Sequence, residues 1–98
     1  MPAVIESSLY AEWFSALKDR TVRARIAVRI DRLAAGNPGD HKGVGDGVME
    51  LRMTFGAGYR VYYMHQGDVV VVLLIGGDKS TQDADIAKAK SVAAAWRR

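Results

Sequence analysis

Apolar and polar residues along this 98-residue chain follow two different periods. In the first half the period is helical. Leu9, Tyr10, Trp13, Phe14 and Leu17 share one face of a helix predicted over residues 8–18. Val22, Ile26, Ile30 and Leu33 make the buried stripe of a second helix over 21–35, with a break at Asp19–Arg20. Gly36-Asn37-Pro38-Gly39 ends that helix, because glycine accepts a left-handed cap and proline cannot continue the hydrogen-bond ladder. So short a connection predicts an antiparallel helical hairpin. Residues 3–7 read as a short strand ahead of it.

After a loop over 36–47, rich in glycine, the period becomes two. Met49, Leu51, Met53 and Phe55 alternate with Glu50, Arg52 and Thr54, which predicts a strand with one buried and one wet face. Gly56-Ala57-Gly58 is a turn. Tyr59 to His65 is the next strand, with Arg60, Tyr62 and Met64 on one face and Tyr59, Val61, Tyr63 and His65 on the other. Gln66-Gly67-Asp68 turns again. Val69 to Ile75 is apolar on both faces, as in an interior strand covered on both sides. Residues 81–97 read as a last helix, capped by Ser80 or Thr81, with Asp83 and Asp85 in its first turn and Ile86, Ala89, Ala93 and Trp96 on its apolar stripe. The order β-α-α-β-β-β-α is that of an α+β domain.

Composition narrows the picture. Hydrophobic residues make up 49% and charged residues 26%, as in an ordinary globule, and the length suits a single domain over 1–98. The lack of cysteine removes disulfides, thiolate–zinc sites and a thiol nucleophile, and suits a reducing compartment. Met-Pro-Ala-Val-Ile-Glu has no signal-peptide character and no apolar run is long enough for a membrane helix, so a cytoplasmic protein is expected. His41 and His65 lack metal-ligand spacing. Gly43-x-Gly45-x-Gly47 does not lead into a helix, so it is no nucleotide-binding loop. No metal or cofactor is expected.

The net charge of +3 matters less than its placement. Arg25, Arg29 and Arg32 form one stripe on the second helix, a pattern common in solvated helical charge. Lys42, Arg52, Arg60 and Lys79 belong to the sheet half. By alternation Glu50 shares a face with Arg52, and Arg60 with Tyr62. Two readings stay open. One is a solvated face with a Glu50–Arg52 or Glu50–Arg60 pair worth under ~1 kcal/mol. The other is a phosphate-binding surface on which arginines grip the backbone and tyrosines stack on bases.

Glu50-Leu51-Arg52, Gly58-Tyr59-Arg60-Val61-Tyr62-Tyr63 and Gly76-Gly77-Asp78-Lys79-Ser80-Thr81-Gln82 resemble motifs of the RelE/ParE toxin superfamily, and most closely its phage-related HigB-like branch of addiction-module killer proteins. The resemblance covers nearly the whole chain, including Trp13, Leu17-Lys18-Asp19-Arg20, Gly36-Asn37-Pro38-Gly39-Asp40 and Asp85-Ile86. It implies a helical hairpin packed on a twisted antiparallel sheet. It also implies a toxin that cleaves messenger RNA on the ribosome, an mRNA interferase that arrests growth, neutralised by an antitoxin that is a small helix-turn-helix repressor. Arg60 matches the arginine opening the Arg-x-x-Tyr pattern of the active-site strand. Lys79 falls where relatives carry a basic residue. With Glu50 these form the expected catalytic set, and Lys42, Arg52 and Tyr62 the expected RNA-binding set. Several RNA-cleaving relatives carry a tyrosine or histidine near the chain end that can act as general acid or base. Here the segment after Ile75 offers Lys79, Ser80 and Asp83 instead, which leaves the general base and acid unassigned between Glu50 and a lysine. The alternative is a ParE-like inhibitor of DNA gyrase without nuclease activity.

Overall fold

A computed structural model describes residues 3–68 and 70–98. The elements are β1 (Ala3–Glu6), α1 (Ser8–Ala16), α2 (Arg20–Ala34), β2 (His41–Gly45), β3 (Val48–Arg52), β4 (Arg60–Gln66), β5 (Val70–Gly77), a 3₁₀ turn (Lys79–Thr81) and α3 (Gln82–Trp96). Among the described residues the strands form one sheet in the order β1-β5-β4-β3-β2. β1 runs parallel to β5, and every other pairing is antiparallel. The α+β class and the helix–helix–meander–helix order follow the sequence pattern. Val69, expected to open the last strand, lies outside the described residues. No helix among them is long and apolar enough to cross a membrane.

Local chemistry explains the helix ends. The Ser7 hydroxyl accepts from the Tyr10 amide at 3.1 Å and donates to the Leu74 carbonyl, so it caps α1 and ties it to the sheet. Asp19 caps α2 by accepting from the Thr21 amide at 2.8 Å. At the other end Gly36 takes a positive φ of 88°. The Asn37 amide reaches the Arg32 carbonyl at 2.8 Å and the Gly36 amide reaches that of Leu33 at 3.0 Å. This is the Schellman closure that glycine permits. The last helix starts differently from expectation. Asp78 accepts from the Ser80 amide and caps the 3₁₀ turn, while the Thr81 hydroxyl donates to Asp85 at 2.6 Å instead of capping α3.

Two further sequence expectations are corrected. Residues 36–47 are not all loop: His41–Gly45 pair with β3 as an edge strand, with Lys42 opposite Glu50. Backbone pairing needs no apolar alternation at an exposed edge, so a glycine-rich polar stretch gave no periodic signal. The face carrying Glu50, Arg60 and Tyr62 is also not wet. Glu50 and Tyr62 are 0% exposed and Arg60 7%, because α3 lies across that face.

The sheet is therefore the middle of three layers. Tyr10, Ile26, Ile30 and Leu33 of α1 and α2 pack on Leu51, Val61, Tyr63, Val71 and Leu73. Ala89 and Ala93 of α3 pack on Val48, Tyr62, Met64, Val72, Leu74 and Ile75. The register between β4 and β5 shifts after Tyr62, which turns both Leu74 and Ile75 toward α3. Trp13 packs on the first cluster and Trp96 on the second, so the two tryptophans lie on opposite sides of the sheet. Gly76 and Gly77 are small for a packing reason. A Cβ on Gly76 would enter the Trp13 ring, and one on Gly77 would meet the Asp85 carboxylate.

Candidate functional site

Register builds the site. Glu50 lies opposite Tyr62, and Arg52 opposite Arg60, on alternate rungs of β3 and β4, with Leu51 opposite Val61 between them. Directly paired side chains share a face. Two arginines on one rung repel, and the carboxylate beside them offsets that repulsion. Glu50 Oε1 stands 3.6 Å from Arg52 Nε and 4.0 Å from Arg60 Nε. Its other oxygen accepts from the Tyr62 hydroxyl at 3.1 Å and from Gln82 Nε2 at 2.8 Å. Gln82 opens α3, so the helix that covers the face also contributes to its polar network.

Glu50 Oε1 and Arg60 Nε are both buried and neither makes a hydrogen bond. They attract as charges at a distance too long for a hydrogen bond. Arg60 Nη1 donates to the carbonyls of Met53, Gly58 and Tyr59 at 3.1–3.2 Å. These bonds lock the guanidinium onto the loop between β3 and β4. Burial, and then the Glu50 charge, push the Tyr62 hydroxyl well above the ordinary tyrosine range, so Tyr62 stays a neutral donor.

Arg52, Arg60 and Lys79 line one cleft of about 370 Å³, together with Asp40, Thr54 and Gly56-Ala57-Gly58. Gly56 and Gly58 have φ of 59° and 73°, which a side-chain-bearing residue rarely adopts. A Cβ on Gly58 would press on that of Lys79 at 3.1 Å, and the Lys79 amide faces the Ala57 carbonyl at 3.4 Å. The glycine turn thus lets Lys79 approach Arg60. The cations differ in freedom: Arg60 is fixed, the Arg52 side chain is 38% exposed, and Lys79 is exposed.

The structure therefore brings Arg52, Arg60 and Lys79 together. Glu50 lies behind the arginines and does not line the cleft. Tyr62 has no free ring face on which a base can stack. Lys42 is exposed on β2, on the sheet face of Glu50 and two strands from Tyr62, outside the cleft wall. Sequence reasoning missed Gln82 and Asp40 as site residues. Both lie within stretches that carry the resemblance, but nothing in their spacing gives them a role. It also missed Arg29, which ties α2 to this wall by donating to the carbonyls of Arg52 at 2.8 Å, Pro38 at 3.0 Å and Asp40 at 3.2 Å.

A meander covered on one face by two helices and on the other by a third is a RelE-like fold. The free state of an E. coli RelE toxin variant superposes with a TM-score of 0.70 over 92% of this chain and 94% of the toxin, at 16% identity. The chain belongs to the family described as phage derived protein Gp49-like (DUF891), a RelE/ParE-like toxin family, which residues 12–97 match. A relative in Haemophilus influenzae (strain ATCC 51907 / DSM 11121 / KW20 / Rd), described as an uncharacterized protein, is 54% identical over 84 residues, spanning 86% of this chain and 85% of the relative.

Proposed function

We propose that the chain is the toxin of a type II toxin–antitoxin pair. It is HigB-like, cleaves messenger RNA on the ribosome, and is neutralised by a small helix-turn-helix antitoxin. The observation behind this reading is the convergence of Arg52, Arg60 and Lys79 on one cleft of about 370 Å³. In the reaction the 2′-oxygen bonds to phosphorus and the bond to the 5′-oxygen breaks. Negative charge gathers on the phosphoryl oxygens in the transition state. Preorganised cations stabilise it most when they need no reorganisation, which suits a fixed Arg60. Arg52 and Lys79 supply adjustable charge on either side. Asp40 lines the same cleft, and in this reading its carboxylate takes the hydroxyl proton while Lys79 gives one to the departing 5′-oxygen. Glu50 and Tyr62 act through Arg60 and Arg52, holding them in register.

The test is induction of the chain alone in bacteria, with messenger-RNA ends and plasmid topology followed in the same cells. Cuts at ribosome-occupied codons support the reading, and their loss in Arg60→Ala, with helicity and melting intact, assigns them to the cleft. Intact transcripts with altered supercoiling would favour the gyrase alternative and overturn it. Co-expression of the neighbouring gene's product should restore growth, and failure of the two proteins to bind would count against a toxin–antitoxin pair.

A further inference from the structure

We infer that a second cleft, beside the first, is a subsite for the single-stranded RNA that runs on from the reacting phosphate. The inference rests on the RNA-cleaving reading of the first cleft. The second cleft, of about 320 Å³, lies between α2 and the loop after β3 and is lined by Arg25, Val28, Arg29, Arg32, Thr54 and Phe55. Thr54 lines both clefts, so the two are neighbours along one surface. Arg29 joins them mechanically. Its hydrogen bonds to the Arg52 and Asp40 carbonyls anchor the helix that forms one wall to the strand ends that form the other.

The chemistry of the second cleft is anion-binding and planar. No carboxylate lines it, and among the described residues Arg25 and Arg32 have no ion pair. The Arg25 guanidinium lies 3.9 Å over the Phe55 ring, a stacked pair whose outer face can continue onto a nucleobase. Val28, 47% exposed, adds an apolar edge. A ligand that crosses both clefts must present negative charge at each and a flat group at the second. Single-stranded RNA does both, repeating a phosphate and a base at every step. An acidic peptide supplies the charge but has no need of the stacked pair.

The test uses the purified chain with an RNA dinucleotide, an RNA hexanucleotide and polyglutamate as probes, with affinity measured against salt. In wild type the hexanucleotide binds more tightly than the dinucleotide. The double variant R25A/R32A should lower the ratio of the two affinities at least about fivefold, the low end of one stacked base. It should also flatten the salt dependence of hexanucleotide binding by about 0.7 for each phosphate that the variant no longer neutralises. R25K keeps the charge and loses the planar stack, so it should lower the ratio with little change of salt slope. Both side chains are exposed, so the variants should melt as wild type does. An unchanged ratio in a wild-type-like RNA binder overturns the subsite and leaves the first cleft standing. Failure of the wild type to bind the hexanucleotide more tightly than the dinucleotide also overturns the subsite, while the nuclease reading, which concerns ribosome-bound RNA, stands or falls on the induction experiment. Binding of polyglutamate that depends on Arg25 and Arg32, with RNA unaffected, assigns the groove to an acidic peptide instead.

Discussion

The two faces of the sheet are built on different terms. The face under α1 and α2 is apolar and aromatic: Tyr10 lies 5.8 Å from Trp13 and 5.9 Å from Phe14, ring centre to ring centre, over Leu51, Val61 and Tyr63. The face under α3 carries a buried carboxylate, a buried arginine and a buried tyrosine hydroxyl. Its helix contributes little more than two fully buried alanines and partly buried Ile86, Val92 and Trp96. One face is arranged to exclude water from hydrocarbon. The other holds charge in place at some cost in stability. The cationic cleft opens at the end of the second face, where rigidity of the cations matters more than the yield of burial.

Substitutions put this difference between the faces at risk. The largest effect on stability is expected on the apolar face: Leu51→Ala should cost about 3–5 kcal/mol in urea unfolding, since the residue is fully buried in a tightly packed cluster. Equal loss from Leu51→Ala and Glu50→Ala would show that the faces do not differ. Glu50→Ala should cost less, about 1–3 kcal/mol, because Arg60 keeps its three carbonyl partners and borders the open cleft. Toxicity on induction should nevertheless fall sharply in Glu50→Ala, whereas the milder Leu51→Val should leave it near wild type.

Tyr62→Phe should be the smallest change, about 1–2 kcal/mol, removing one hydrogen bond to a carboxylate that still has Gln82. It carries a signature in pH. The Tyr62 hydroxyl titrates well above its usual 10.0 in the folded chain. Its contribution is therefore complete below about pH 10, and falls as pH rises further, because the unfolded chain then releases a proton that the native state retains. Tyr10 and Tyr63 are shifted the same way, so wild type should lose stability steeply in alkali and Tyr62→Phe less steeply. Identical alkaline slopes would remove Tyr62 from the account.

The contrast between the faces also explains what the chain's pattern disclosed. Helical spacing located α1, α2 and α3 to within two residues at either end, and Gly36 marked the end of α2. Strand alternation put Arg60 with Tyr62 and Glu50 with Arg52, and the register sets them on alternate rungs, Glu50 opposite Tyr62 and Arg52 opposite Arg60. Alternation reports which residues share a face, not whether that face is covered. Polar residues at Glu50, Arg52 and Thr54 read as solvated, although the two-sided apolar run of β5 and the stripe on α3 already required a second covering layer. β2 escaped notice because His41-Lys42-Gly43-Val44-Gly45 has neither period. The cleft was legible only as a set of cations. The closure of the Gly56-Ala57-Gly58 turn, which brings Lys79 to Arg60, depends on tertiary geometry.

The placement of Trp13 and Trp96 gives the molecule two optical reporters. They are its only tryptophans, and each looks onto a different side of the sheet. Phenylalanine at position 96 would leave an emission signal from the hairpin layer alone, and phenylalanine at position 13 one from the α3 layer. Followed through a denaturant jump, the two signals would show whether the layers come apart together or whether the helix over the charged face leaves first.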